Sequence, residues 1–329
     1  MDKFLVHRKK KRRTETPSEG FSSACISGDS VAVGNLLRLG LDPNAAFSAG
    51  GALPITMAAI SESIETVELL LAAGADPNGR IKQSGATPLE LSCKAEISAA
   101  LLRAGADPNA RDDHGLTALF HQGHHIDVAR VLLEAGADPN IVSGMGWSSL
   151  LNAIQSKDEA LARLLLKHRA DPNLLSESVM MYRDKKSVPL VAAIESGLPT
   201  PFIEALLDAG AEKDNSAGYQ ETTPLMAACM WARIDVMRLL KARGADKYKS
   251  SGDGWWTPAV HAGFDHSGVA SFELRSWYLA DAGSFCRGTH ARLGKNSPVR
   301  LLLGFPEILK WVVDWAVPIK GHKPRPELP

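Results

Sequence analysis

No stretch of this 329-residue sequence approaches the roughly 20 consecutive apolar residues a helix needs to cross a bilayer, so a membrane-spanning protein is not expected. Cysteine is scarce: Cys25, Cys93, Cys229 and Cys286 lie far apart and form no Cys-x-x-Cys pair. Disulfide and zinc frameworks need close or patterned spacing, so these residues are expected to be reduced thiols of an intracellular protein. A secretory signal is not expected either, because the apolar patch Phe4-Leu5-Val6 is short and precedes the basic residues instead of following them. The chain has no Gly-x-x-x-x-Gly-Lys-Ser loop, no Gly-x-Ser-x-Gly elbow and no His-Glu-x-x-His. No catalytic residue and no cofactor are therefore assigned.

What is present is the composition of a folded domain, 45% hydrophobic and 22% charged. The formal net charge is zero, with 37 basic and 37 acidic residues, but it is unevenly placed. Residues 1–13 hold seven basic side chains against Asp2 alone, which leaves 30 basic and 36 acidic residues for the remainder. A mildly acidic body with a basic tip does not make a general nucleic-acid surface.

The strongest pattern is a repeat. The turn GADPN occurs at Gly74–Asn78, Gly105–Asn109 and Gly136–Asn140, with the variants GLDPN at Gly40–Asn44 and RADPN at Arg169–Asn173. Successive Asn residues are spaced by 34, 31, 31 and 33 positions, a period that points to a helical solenoid. A Leu-rich helix end precedes each turn, and helix openings such as TPLELS, TALFHQ and TPLMAA start at Thr87, Thr117 and Thr223. Thr caps a first helix through its hydroxyl, Pro sits where no backbone donor is needed, and Gly supplies a left-handed stop to the second helix. Asp-Pro-Asn then fixes the turn into the next unit. No unit buries its apolar face alone, so the units must stack.

These residues resemble the ankyrin repeat, whose pattern runs Gly-x-Thr-Pro-Leu-His-x-Ala, short helix, turn, second helix with Leu-Leu, and Gly-Ala-Asp-x-Asn. The resemblance covers about residues 21–283 in eight units, the last of which drift: GAEKD at Gly210–Asp214, GADKY at Gly244–Tyr248 and YLADAGS near Gly283. It implies an all-α array at 21–285, preceded by a disordered basic tail at 1–20. A divergent helical cap and Pro-rich end would follow at 286–329. Three departures stand out. TPLELSCKAEIS and TALFHQGHH are shortened between their helices, which predicts tightened turns in units three and four. Arg169 replaces the capping Gly. The connection LLSESVMMYRDKKS exceeds a normal one; it is either a tolerated surface insertion or a binding loop carrying Met180, Met181 and Tyr182.

The densest titratable group is His114, His121, His124 and His125. Gly123-His124 matches the family's structural Gly-His between helices, and only Asp127 adds a ligand type nearby, so no metal site is assigned. Ankyrin arrays engage partners with their finger loops and first-helix ends. By alignment the finger positions are Ala86, Leu116, Trp147, Thr222 and Trp256, and the helix ends include Ile60-Ser61, Gln155-Ser156, Glu195-Ser196 and Met230-Trp231. Six of the seven Trp residues lie beyond residue 230, so Met230, Trp231, Trp255 and Trp256 form a candidate hot spot with Leu116 and Trp147. Packing between fingers is the competing role for these Trp residues. Trp277, Trp311 and Trp315 are assigned to the core of the divergent end.

The first thirteen residues carry two overlapping signals. Lys9, Lys10, Lys11, Arg12 and Arg13 look like a single-cluster nuclear localisation signal for an import receptor, with a nonspecific nucleic-acid or anionic-membrane tail as the alternatives. Lys3, Phe4, Leu5, Val6 and His7 resemble the short motif by which replication and repair proteins bind the sliding clamp, with His7 departing from the expected Lys or Arg. The C-terminal segment shows no clear SOCS-box-like element, which leaves a ubiquitin-ligase adaptor as the lesser alternative. The expected function is a non-catalytic protein-protein interaction scaffold, nuclear or nucleocytoplasmic, with a cytoplasmic location as the alternative.

Overall fold

The computed structural model describes residues 17–47, 51–121, 125–178, 185–216, 221–249 and 258. These residues form fourteen helices in seven antiparallel-type pairs and one short hairpin. They divide into two bodies, one holding the described residues up to 149 together with 168–170, the other those of 150–167 and from 171 onward.

The first body contains the helix pairs α1 (Pro17–Ser27) and α2 (Ser30–Arg38), α3 (Pro54–Ile60) and α4 (Ile64–Ala72), α5 (Pro88–Leu91) and α6 (Ala95–Arg103), and α7 (Ala118–His121) and α8 (Ile126–Glu134). First helices pack on first helices, α1 on α3, α3 on α5 and α5 on α7; second helices do the same from α2 to α8. The apolar spacing of the sequence makes this possible. Val67, Leu70, Ile97, Leu101 and Leu132 are fully buried along the second helices, and Ala58 and Ala59 let α3 approach its neighbours closely. Phe21 meets Phe47 edge to face, with ring centroids 5.5 Å apart. Helix α1 starts at Pro17, inside the stretch expected to be tail.

The second body contains α9 (Ser149–Gln155), which enters it from Leu150, α10 (Glu159–Lys167), α11 (Pro189–Glu195), α12 (Thr200–Asp208), α13 (Pro224–Met230) and α14 (Ile234–Ala242). Here α11 packs on α13, and α10, α12 and α14 form the second row. Leu161, Leu165, Phe202, Leu206, Val236 and Leu240 fill the core between them. The long connection after Asn173 adds a short hairpin to the all-α array. Its ends pair as β1 (Ser176–Ser178) and β2 (Lys185–Ser187), antiparallel, with Ser176 opposite Ser187. An insertion that leaves and rejoins the array at neighbouring points satisfies its backbone groups most simply by pairing its own two arms.

The helix ends follow the sequence. Thr87 and Thr223 accept hydrogen bonds from the Glu90 and Met226 amides at 3.4 and 3.2 Å, and Pro88 and Pro224 open the helices behind them. The shortening foreseen in unit three lies in its first helix: α5 is four residues long, whereas α3, α9, α11 and α13 are seven, and the turn that follows α7 in unit four lies outside the described residues. Arg169 keeps the left-handed conformation of the Gly it replaces, at φ 65°, beside φ 88° to 97° at Gly74, Gly105, Gly136 and Gly210. Holding a side chain there costs about 1–2 kcal/mol.

Candidate interaction surface

The finger loops are tied hairpins. The Asp112 amide donates to the Leu116 carbonyl at 2.9 Å, and the Asp112 carboxylate accepts in return from the Leu116 amide at 2.8 Å. Ser143 and Trp147 repeat the arrangement one unit on, with the Trp147 amide donating to Ser143 Oγ at 3.1 Å. Adjacent fingers are joined as well. The Asp113 amide donates to the Ser84 carbonyl at 3.0 Å, the Gly144 amide to His114 at 2.8 Å, and the Arg80 and Arg111 guanidiniums to the Arg111 and Val142 carbonyls. Consequently Ala86 and Thr222 are buried, and Leu116 and Trp147 are only half-exposed. These fingers offer backbone edges and polar tips more than apolar anchors.

Four of the exposed apolar side chains sit instead at the ends of first helices, while Val31, Leu39, Leu69, Leu175 and Tyr248 are exposed elsewhere. Met230 is 42% and Trp231 56% exposed at the end of α13. Ile60 ends α3 in the same way, and Ile26 lies one residue from the end of α1. Ile26 was missed in the sequence reading, although it lies one unit upstream of Ile60 at a comparable helix end. Of the other candidates, Met180, Tyr182, Trp255 and Trp256 lie outside the described residues, as do Lys3, Phe4, Leu5, Val6, His7, Lys9, Lys10, Lys11, Arg12 and Arg13.

Among the described residues, His114, His121 and His125 form no common ligand group. His124 is outside the described residues, and His121 turns to a different pair of groups. Its Nε2 lies 3.2 Å from Asp112 Oδ2, and Glu90 completes a group whose ligand-type atoms all fall within 4.8 Å. Each carboxylate has structural work. Glu90 Oε2 accepts from the Thr87 amide at 3.3 Å, closing a capping box, and Asp112 Oδ1 accepts from the His114 and Leu116 amides. Burial pushes the Glu90 carboxyl up to about 7, while the amide of Thr87 opposes the shift and the Asp112 charge adds to it. Asp112 is held below the ordinary carboxylate range: its amide and His121 hydrogen bonds outweigh its desolvation. Glu90 stands where the repeat pattern writes His, and that substitution was the available signal. Cys25 is buried, which pushes its thiol up to about 12 and leaves it inert as a nucleophile.

The Asp-Pro-Asn turn does more than turn. Asn78 Nδ2 donates to the Gly105 carbonyl at 2.9 Å, and its Oδ1 accepts from the Asp107 amide at 2.7 Å. Asn44 grips Gly74 and Asp76 in the same way, Asn109 grips Gly136 and Asp138, and Asn173 grips Gly210 and Glu212. Each Asn thus clamps the helix stop of the following unit. A family model described as ankyrin repeats (3 copies) matches residues 21–112 and 95–176, which contain all five Asp-Pro-Asn turns. Residues 21–176 carry ankyrin repeats. No curated protein matches it. The helix pairs α11/α12 and α13/α14 continue the ankyrin architecture beyond the matched residues. Ankyrin repeats mediate protein-protein interaction and are typically non-catalytic. No described helix is long and apolar enough to cross a membrane.

Proposed function

We propose that the chain is an interaction scaffold that seats a partner protein on the ends of its first helices, with Met230 and Trp231 as the anchor, and that its basic tail directs it to the nucleus. The observation that carries the partner site is the exposure of Trp231. A Trp side chain that is 56% exposed at a helix end contributes little to its own fold, yet gains on the order of 2 kcal/mol or more when a partner covers it. Leu116 and Trp147, half-buried in tied fingers of the other body, are not part of this anchor.

The test is recovery of partners from cells by the full chain and by a Met230→Ala, Trp231→Ala double variant, compared by quantitative mass spectrometry. The expected outcome is loss of a defined set of proteins at unchanged helical content and melting temperature. Equal recovery by both chains removes these two residues from the site. The nuclear assignment rests on Lys9, Lys10, Lys11, Arg12 and Arg13, a compact cationic run beside the polar stretch TETPSEG.

A further inference from the structure

The truncated helix α5 leaves a gap beside the start of α6. In most units the chain leaves the first helix through a left-handed residue: Gly28, Glu62, Lys157, Gly197 or Ala232. Unit three has none; Ser92 is extended at φ −83°, ψ 115°, and the chain enters α6 three residues later. With one helical turn missing from α5, the first turn of α6 loses its cover. The result is an open groove of about 740 Å³ running from Ile64 across Ala95 to Ile126. Ile97 and Val128 are fully buried beneath it, and Ile64, Ala95 and Ile126 are half-exposed along its floor.

The groove is lined by three acids, Glu62, Glu96 and Asp127, against Lys94 and His125. Lys94 is already spent: its Nζ lies 3.2 Å from the Glu62 carboxylate and donates to the Glu62 carbonyl. Glu96 and Asp127 are exposed and form no ion pair with any described residue. Each sits in the first turn of its helix, where a carboxylate favours the helix by about 0.3–1 kcal/mol. That role is shared by Glu65 in α4, which does not line the groove, so it does not account for two such carboxylates flanking an uncovered apolar floor.

We propose that this groove docks a short segment of a partner protein in which Lys or Arg alternates with aliphatic residues, the cations meeting Glu96 and Asp127 and the aliphatic side chains covering Ile64, Ala95 and Ile126. The proposal rests on the scaffold reading and adds a second contact, in the other of the two bodies from Trp231.

The probe is a fluorescent eight-residue Lys-Leu alternating peptide, titrated into the full chain by anisotropy. Lys-Ser and Glu-Leu peptides of equal length serve as controls. The expected result is saturable binding of Lys-Leu at least tenfold tighter than either control. A Glu96→Lys, Asp127→Lys variant should lose that preference and gain affinity for Glu-Leu. If charge reversal disturbs the fold, Glu96→Gln with Asp127→Asn tests the charge, and Ala95→Trp tests the floor by filling it. Equal binding of Lys-Ser and Lys-Leu, or wild-type affinity in the charge variants, overturns the proposal. Because Met230 and Trp231 are intact in these variants, failure here together with partner loss in the Met230/Trp231 variant sinks the groove and leaves the scaffold reading standing.

Discussion

At the scale of single residues the array is conservative except at Glu90. It is 1% exposed, faces Asp112 and His121, and feels Arg80 at longer range. Its carboxyl sits near 7 in the folded chain against about 4.5 in the unfolded one, so folded chains bind more protons between those values. The contribution of Glu90 to stability is therefore fully present below about pH 4.5 and is lost as pH rises through 7. A shift of that size corresponds to about 3 kcal/mol. Asp112 works in the opposite sense, since its depressed carboxyl stabilises the fold until acid protonates it. Replacing Glu90 with Gln keeps an oxygen for the Thr87 amide, adds a donor toward Asp112 and removes the buried charge. Urea unfolding at pH 5 and pH 8 should show Glu90→Gln more stable than wild type at pH 8 by about 1–3 kcal/mol, with the difference shrinking at pH 5. A difference that does not change with pH would mean the carboxyl titrates normally.

At the scale of elements, each Asn clamp joins one unit's turn to the next unit's helix stop. Asn109 makes two such hydrogen bonds, 3.3 Å to the Gly136 carbonyl and 2.7 Å from the Asp138 amide. Net worth of about 0.5–1.5 kcal/mol per bond sets the expected loss for Asn109→Ala at about 1–2 kcal/mol in urea unfolding. Asp214 provides an internal control. It occupies the Asn position, still accepts from the Asp246 amide at 2.8 Å, and its carbonyl takes Lys249 Nζ. Asn109→Asp should accordingly lose less than Asn109→Ala, and stabilities within 0.5 kcal/mol of wild type for both would rank the clamp with ordinary surface contacts. The helices themselves were readable in the sequence, because Thr-Pro openings, Leu spacing and Gly stops are local signals. The clamp was not, since the partner of Asn109 lies 27 residues away and only stacking brings it near. The groove falls between the two. The missing residues in TPLELSCK were visible, but the uncovered first turn of α6 and the floor from Ile64 to Ile126 belong to the packing of three successive units. Likewise the alignment found Met230 and Trp231, while the tying of the fingers at Leu116 and Trp147 emerged only from hydrogen bonds between loops.

At the scale of the whole molecule, charge separates the tail from the array: seven basic residues against one acidic in positions 1–13, and an excess of six acidic residues elsewhere. A cationic tail on an anionic body is poorly suited to lie along DNA, because the body repels the phosphates that the tail attracts, and any such contact weakens steeply with salt. A compact run of five cations suits an acidic receptor groove better, since only a few residues need to dock. Replacing Lys9, Lys10, Lys11, Arg12 and Arg13 with Ala should lower the nuclear-to-cytoplasmic ratio of a full-length fluorescent fusion large enough for passive entry to be slow. Import and retention by nucleic acid are then separated by bleaching the nucleus and following recovery. Impaired import slows re-entry, whereas lost retention leaves re-entry unchanged and speeds exit. Slow re-entry assigns the run to transport, because the variant leaves every described residue of the array untouched. Unchanged re-entry with faster exit would instead make the tail a nonspecific anchor, and an unchanged ratio would strip it of any role in location.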